Sequence, residues 1–499
     1  MLAACRTQQN PDVQPNFDLT CTDVEGFLDQ LHEFHQAFHS CFVRREPREH
    51  FLHYMAGQLS ALERKSIEPM AIHIEGGDVR GMQRFISDDV WKEDEMRQTY
   101  HGMVADEMGE PRGMMIFDES GFVKKGQDSV GVARQYCGTI GKVENCQVGV
   151  FAAYASSKGY ALVDKRLFLP EAWFDDAHAD RRAKCRVPSE VFFQSKPELA
   201  AQMLRAIRSE GVLPFRYIGA DSVYGNSPVF LDALDACVGS VYLVGISSET
   251  RCWLQCPVTQ EPTYRYRGEV YSRRILAPGS EPPMSVAEWA HSLRPHSWYR
   301  RTVSEGSKGP MVYEFARRRV TLCRDGLPDR TVWLVVKRSL SPTPKYWYSI
   351  SNAPLSAPLS LFVWMSGRRW AIEQCFEESK SDVGMDHYEV RTYEGWHHHM
   401  LTTMLAHFFI WQLKIRLEKK SPALTVPQLR SLLEEVLPLR RWTSELKVAL
   451  IAWVQKRNHQ AYCSHRKRAS IVGSATFGHP NQLAHVLTRE KSNKRFLIN

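Results

Sequence analysis

Two short apolar runs that each close on an aspartate constrain this chain more than anything else in it. In GMMIFDESGFVKKG, Gly113 to Gly126, four apolar residues run into Asp118, and in RYIGADSVYGN a second run closes on Asp221. Short β-prone runs bounded by glycine read as buried strands. A carboxylate at the end of such a strand is costly unless something there uses its charge. Side chains alternate along a strand, so Asp118 and Glu119 point to opposite faces if the strand persists. Asp118 is then the candidate functional acid and Glu119 a surface or supporting residue.

The surroundings of these runs predict an α/β protein of several regions, since one hydrophobic core stops growing at roughly 250 to 300 residues and this chain has 499. Residues 1–110 read as a helical N-terminal domain, with Phe27, Leu31, Phe34 and Phe38 at helical spacing. Within it, Ser87-Asp88-Asp89 ahead of Trp91, Glu93 and Glu95 reads as an acid-rich helix start. Residues 111–246 read as the first part of a core. There a strand reaches Phe117, a hairpin turns at Gly138 to Asn145, a helix spans Pro197 to Ser209, and further strands lie at RYIGAD and SVYLVGI. Residues 247–358 are dense in Trp, Tyr and Arg and read as a β-rich insertion, with strands at Tyr264 to Ile275, Met311 to Cys323 and Thr331 to Lys337. Residues 359–420 return to helices and complete the core. Residues 421–499 read as a helical, basic C-terminal region, helical to about Tyr462, then basic at HRKR and loose to Asn499.

Bulk properties narrow the function classes. A net charge of +8 favours a polyanionic partner, because each phosphate neutralised by Lys or Arg releases counterions. Twelve cysteines include no CxxC pair, and Cys252 and Cys256 lack a second pair at zinc-finger spacing, which argues against structural zinc. MLAACRTQQNPD is too short in its apolar run for a signal peptide, so the expected compartment is the cytoplasm. The most apolar helix, Met400 to Leu413, falls short of the ~20 residues a bilayer requires and is expected in the core. G-x-S-x-G, G-x-G-x-x-G and Walker A signatures are missing. His397 to His399 are consecutive on a helix and point in different directions, so they are not expected to share a metal.

One later helix supplies a partner for the aspartates. Over Arg368 to Asp382, the residues Arg369, Glu373, Glu377 and Lys380 fall on one stripe, beside an apolar stripe of Ile372, Phe376 and Val383. Asp118, Asp221 and Glu373, on strand, strand and helix, are the parts of a site for two divalent cations, Mg2+ or Mn2+, which take hard oxygen ligands. Two such ions about 3.5 to 4 Å apart promote in-line phosphoryl displacement.

From about Leu62 to about Ile410 the chain resembles the DDE transposases of bacterial insertion sequences, in the branch whose RNase H-like core is interrupted by a β-rich insertion before the glutamate. The resemblance is carried by FDESGFVKKG, IGADSVYGN and RRWAIEQCFEESKSDVGMDHYEVR. It implies an RNase H-like mixed sheet, with Asp118, Asp221 and Glu373 as the catalytic metal ligands for two ions. It also implies DNA contacts from Arg369, Lys380, Lys124 and Lys125. The long interval between Asp221 and Glu373 suits an insertion. Where that branch often has a tyrosine seven positions before the glutamate, this chain has Ser366. The implied partners are double-stranded DNA, as terminal inverted repeats and target, and a second copy of the chain during synapsis. The implied reaction is end cleavage followed by strand transfer of a 3′-hydroxyl. Two other readings stay open: an RNase H-like nuclease without strand transfer, and a transposase-derived DNA-binding protein that no longer cuts. Trp253, Trp298, Trp333 and Trp347 are candidates either for core packing or for stacking on a flipped base.

Overall fold

The computed structural model describes residues 16–267, 269–306 and 309–475. Two compact units divide at Leu439 and Arg440. In the first unit, helices α1 (Cys21–Glu25), α2 (Phe27–Gln36), α3 (Arg45–Leu59), α4 (Ile67–His73), α5 (Val79–Ser87) and α6 (Glu93–Met108) precede every strand. Ser87 ends a helix rather than starting one. Asp78 caps α5 by accepting from the Arg80 and Gly81 N–H groups, and the next helix waits until Glu93, whose first turn carries Glu93, Asp94 and Glu95. Trp91 fills the space between, its ring 4.5 Å from Phe85 and its Nε1–H donating to the Phe85 carbonyl.

Strands β1 (Met114–Val123), β2 (Ala133–Cys137), β3 (Lys142–Ala155) and β4 (Tyr160–Phe168) form an antiparallel group, with β1 on β3 and β3 flanked by β2 and β4. The expected hairpin turn is a short 3-10 turn at Gly138–Ile140, closed by Gly141 at a positive φ of 65° that glycine adopts freely. Helices α7 (Ala179–Lys184) and α8 (Lys196–Glu210) follow, then β5 (Tyr217–Ala220), α9 (Ser222–Gly225), α10 (Pro228–Ala236) and β6 (Val241–Ile246). β5 pairs parallel to β1, and β6 parallel to β5. The order β4-β3-β1-β5-β6, three antiparallel strands then two parallel ones, is the RNase H-like mixed sheet.

Residues 251–351 add β7 (Arg251–Trp253), β8 (Thr259–Gln260), β9 (Thr263–Tyr266), β10 (Glu269–Ser272), β11 (Ile275–Leu276) and β12 (Met284–Ser285). They continue with α11 (Val286–Ser292), β13 (Tyr299–Gly306), β14 (Gly309–Arg324), β15 (Leu327–Arg338) and β16 (Tyr346–Ser351). The single strand expected over Tyr264 to Ile275 is instead a β9–β10 hairpin followed by the separate β11. β16 pairs antiparallel with β6 and with β15, so the core sheet continues without a break into β15, β14, β7 and β12.

The chain then forms α12 (Leu359–Arg368), α13 (Ala371–Ser381), α14 (Tyr393–Arg416) and α15 (Val426–Glu434). α14 is buried continuously from Gly395 to Lys414, and no described helix is long and apolar enough to cross a membrane. Its three histidines diverge. His397 faces Glu93, His398 stacks on Trp91 at 3.9 Å and meets the Ile86 carbonyl, and His399 meets Tyr54 Oη and the Met385 carbonyl. In the second unit, α16 (Ser444–Ala475) runs past the expected end near Tyr462 and through HRKR; the loose tail expected beyond it lies outside the described residues.

Candidate active site

Parallel pairing brings the two aspartates together. β1 and β5 run in register to the pair Phe117 and Ala220; Asp118, expected at a strand end, lies within β1, which continues to Val123, and Asp221 is the first residue past β5, so the two are the next in register and share a face of the sheet. Neighbouring strands lie about 4.8 Å apart. Asp221 then turns the chain by capping α9, its side chain accepting from the Val223 N–H. Gly245 on β6 permits this turn, because a Cβ there would stand 2.9 Å from the Ser222 nitrogen and 3.1 Å from the Asp221 carbonyl carbon.

The alternation along β1 separates two environments. Asp118 lies opposite Phe151 of β3, whose ring packs 5.3 Å from Phe376 of α13, so this face carries the helix with Glu373. On the other face Phe117 packs against Phe230 of α10, while Glu119 accepts from Tyr224 Oη at 2.8 Å and pairs with Lys196 at 2.9 Å. Glu119 is therefore a tie between β1 and the helices behind the sheet.

Electrostatics marks the pair as short of positive charge. Burial pushes the Asp118 carboxyl up to about 8, the neighbouring Asp221 pushes it the same way, and Arg369 opposes both. Burial also raises Asp221, followed by the charge of Glu119, with the Val223 N–H and Arg369 opposing. Arg369 additionally pairs with Glu373 at 3.6 Å, so one guanidinium serves all three acids. Glu373 is half exposed at the start of α13, whereas Asp118 and Asp221 are partly covered.

The helix expected over Arg368 to Asp382 begins only at Ala371 and ends at Ser381, with Arg368 the last residue of α12. Arg369 and Trp370 form the joint, where Arg369 N–H still donates to the Met365 carbonyl but Trp370 N–H reaches only to Gly367, tightening the turn. Arg369 therefore sits between helices rather than on a continuous stripe. Its stem passes 3.7 Å from where a Cβ of Gly219 on β5 would stand, so the missing side chain gives it passage towards the aspartates. α13 is fixed from below by Glu378. That buried carboxylate accepts from Tyr160 Oη at 2.9 Å, His407 Nε2 at 2.8 Å and Trp411 Nε1 at 3.1 Å, and these donors hold it ionised despite burial.

The basic residues are more engaged than their sequence suggests. Lys380 donates to Thr139 Oγ1 at 2.9 Å and to the Gly121 carbonyl, tying α13 to the end of β1, and burial lowers its pKa. Lys124 donates to the Tyr388 carbonyl, and its ammonium lies 3.3 Å from the centre of the Tyr388 ring. Burial lowers it to about 8, with Asp386 and Glu389 opposing. Lys125 is exposed in the adjacent loop. Lys337 of β15 stands out where no motif pointed. Burial lowers it to about 8, and its charge interacts with Arg369 and Glu373. Only a strand placed by long-range pairing brings it there. The tryptophans divide: Trp253 and Trp298 are buried, while Trp333 and Trp347 are partly exposed under cationic side chains.

The donor chemistry suits a hard divalent cation, because Asp118 and Asp221 present adjacent, undercompensated carboxylates. Among the described residues no three Asp, Glu, His or Cys side chains converge closely enough to hold one ion as they stand. Arg369 mediates between the aspartate pair and Glu373 instead.

Residues 37–310, more than half of the chain, match the family described as DDE superfamily endonuclease; the match includes Asp118 and Asp221 and stops before Glu373. The chain is 23% identical over 362 residues to a protein of Microchaete diplosiphon named probable transposase for insertion sequence element IS701, covering 72% of this chain and 82% of that one. A cryo-EM structure of the piggyBac transposase synaptic complex with hairpin DNA aligns with a TM-score of 0.39 and 10% identity, over 88% of this chain and 84% of that chain. With the family model covering residues 37–310, the chain belongs to the DDE superfamily endonucleases.

Proposed function

We propose that the protein is an insertion-sequence transposase that cleaves DNA at the element's ends and joins the freed 3′-hydroxyl to target DNA. The observation that carries this reading is the in-register meeting of Asp118 and Asp221, both desolvated, on the face covered by the helix of Glu373. The resemblance to a probable insertion-sequence transposase supports it.

In this reading Asp118, Asp221 and Glu373 hold two Mg2+ or Mn2+ ions, which when bound activate the attacking oxygen and stabilise the leaving one. Arg369 has two duties: it offsets the acids in the free protein, and it turns towards a phosphate when the acids gain other positive charge. Lys380 orients α13 against β1 and, with Lys124 and Lys125, follows the DNA backbone. The helical region 1–110 grips DNA, residues 247–358 form an insertion within a core made of 111–246 and 359–420, and 421–499 add a basic helix. Two copies of the chain pair the element's ends in the bacterial cytoplasm.

The test is nicking of supercoiled plasmid with and without Mg2+ or Mn2+, by the wild type and by Asp118→Asn, Asp221→Asn and Glu373→Gln. The reading requires metal-dependent nicking that each substitution lowers by at least about 100-fold. Nicking without joining of a labelled 3′-end would leave a nuclease, and DNA binding without nicking would leave a binder.

A further inference from the structure

We propose that Lys337, presented by the inserted strands in a cage of two aromatic rings, is a DNA-phosphate ligand of the active site. The proposal rests on the transposase reading above and deepens it by naming a contact from outside the three-acid motif.

The cage follows from strand register. Trp347 of β16 lies directly opposite Lys337 of β15, and Tyr313 lies diagonally on β14, two residues from Phe315, the partner of Lys337 there. The two rings stand perpendicular with centres 5.7 Å apart. The ammonium is 4.7 Å from the Trp347 centre and 4.8 Å from the Tyr313 centre. Aromatic faces hold a cation without neutralising it. Among the described residues Lys337 has no carboxylate within ion-pair distance and no hydrogen-bond acceptor, and it is half-buried, so its ammonium keeps only part of its hydration. An approaching anion completes such a lysine readily.

The cage lies on the sheet face of the proposed reaction centre, because Ser349, two residues from Trp347 on β16, pairs with Gly245, whose missing side chain faces Asp221. Lys337 interacts with the charges of Arg369 and Glu373. The inserted strands also press on the joint that carries Arg369, since a Cβ on Gly367 would stand 2.9 Å from the Val303 carbonyl oxygen of β13. Continuous pairing of β6, β16 and β15 holds this arrangement against the core. The chemistry that fits a preoriented, underneutralised ammonium within electrostatic reach of Arg369 is a singly charged phosphodiester oxygen, with the rings shielding one side of the contact.

The test uses the full-length protein with a fluorescent DNA duplex and with supercoiled plasmid. Lys337→Met should weaken duplex binding about tenfold at low salt and reduce the slope of log affinity against log salt by about 0.9, while Lys337→Arg keeps the slope. In the wild type, saturating duplex should shield Lys337 from an amine-acetylating reagent, read by mass spectrometry; this measurement stands even if Lys337→Met fails to fold. Wild-type nicking with an unchanged salt slope in Lys337→Met, or undiminished acetylation of Lys337 under saturating DNA, overturns the phosphate contact and leaves the transposase reading intact. A wild type that neither binds nor nicks DNA in the presence of Mg2+ or Mn2+ overturns both.

Discussion

Replacing Asp118 with asparagine should make the metal-free protein more stable, although it removes a residue assigned to the reaction. Burial and Asp221 raise the Asp118 carboxyl from its ordinary 3.8 to about 8. The unfolded chain is therefore ionised at neutral pH, while the folded chain must either keep a proton or bury a second negative charge. A folded-state pKa above the unfolded one means that the folded state binds more protons, so stability is lost as pH rises between about 4 and 8. Each unit is worth about 1.36 kcal/mol, which sets a ceiling of about 4 kcal/mol at pH 7. Solvent reaches part of the carboxyl, and screening brings the expected gain to about 1 to 2 kcal/mol. The substituted amide keeps the shape of the carboxyl, and its oxygen can still accept from the Glu119 N–H, as Asp118 does at 2.8 Å. Urea unfolding of wild type and Asp118→Asn at pH 5, 6, 7 and 8 in EDTA measures the difference. The two proteins should differ least at pH 5 and diverge steadily above it, with Asp118→Asn the more stable. Equal stabilities at pH 8, or parallel curves throughout, would show that the aspartate pair is not strained by its own charge and would refute the reasoning.

Arg369→Met removes the charge that opposes the raised pKa of both aspartates, so the fall in stability with pH should continue past pH 8 instead of levelling off there, read from the same unfolding series extended to pH 9. Gly245→Ala forces a Cβ to within 2.9 Å of the backbone beside Asp221; the fold should lose about 1 to 3 kcal/mol, and plasmid nicking should fall more than stability explains. Glu378→Ala leaves Tyr160, His407 and Trp411 without their shared acceptor and should cost about 3 to 5 kcal/mol by urea unfolding, with Glu378→Gln costing less because its amide oxygen keeps one donor.

What was legible in the chain was local. Apolar runs ending at Asp118 and Asp221 announced two strands because every residue of 114–117 and 217–220 is buried. The apolar stripe Ile372, Phe376 and Val383 announced the inner face of α13 for the same reason. The break at Arg369 and Trp370 escaped notice because both keep right-handed helical dihedrals and neither is a glycine or proline, so the joint shows only in the shortened hydrogen bond. Ser87 misled because a serine followed by aspartates looks like a cap wherever it stands, whereas Asp78 already capped that helix from its other end. Lys337 was out of reach for a different reason: its electrostatic reach to Glu373 depends on β16 pairing with β6 across about a hundred residues of sequence, which no short window contains.

The pairing of β16 with β6 also spreads the site along the chain. Both aspartates are synthesised well before Glu373, and residues 251–351 lie between them and it, returning to the edge of β6 through β16 just ahead of α12 and α13. A ribosome-bound or prematurely terminated chain that stops short of β16 would carry two of the three acids and lack the third. On the proposed roles of the three acids, a copy of the gene truncated before α13 encodes a product expected to hold DNA-cutting parts without the residue that completes them.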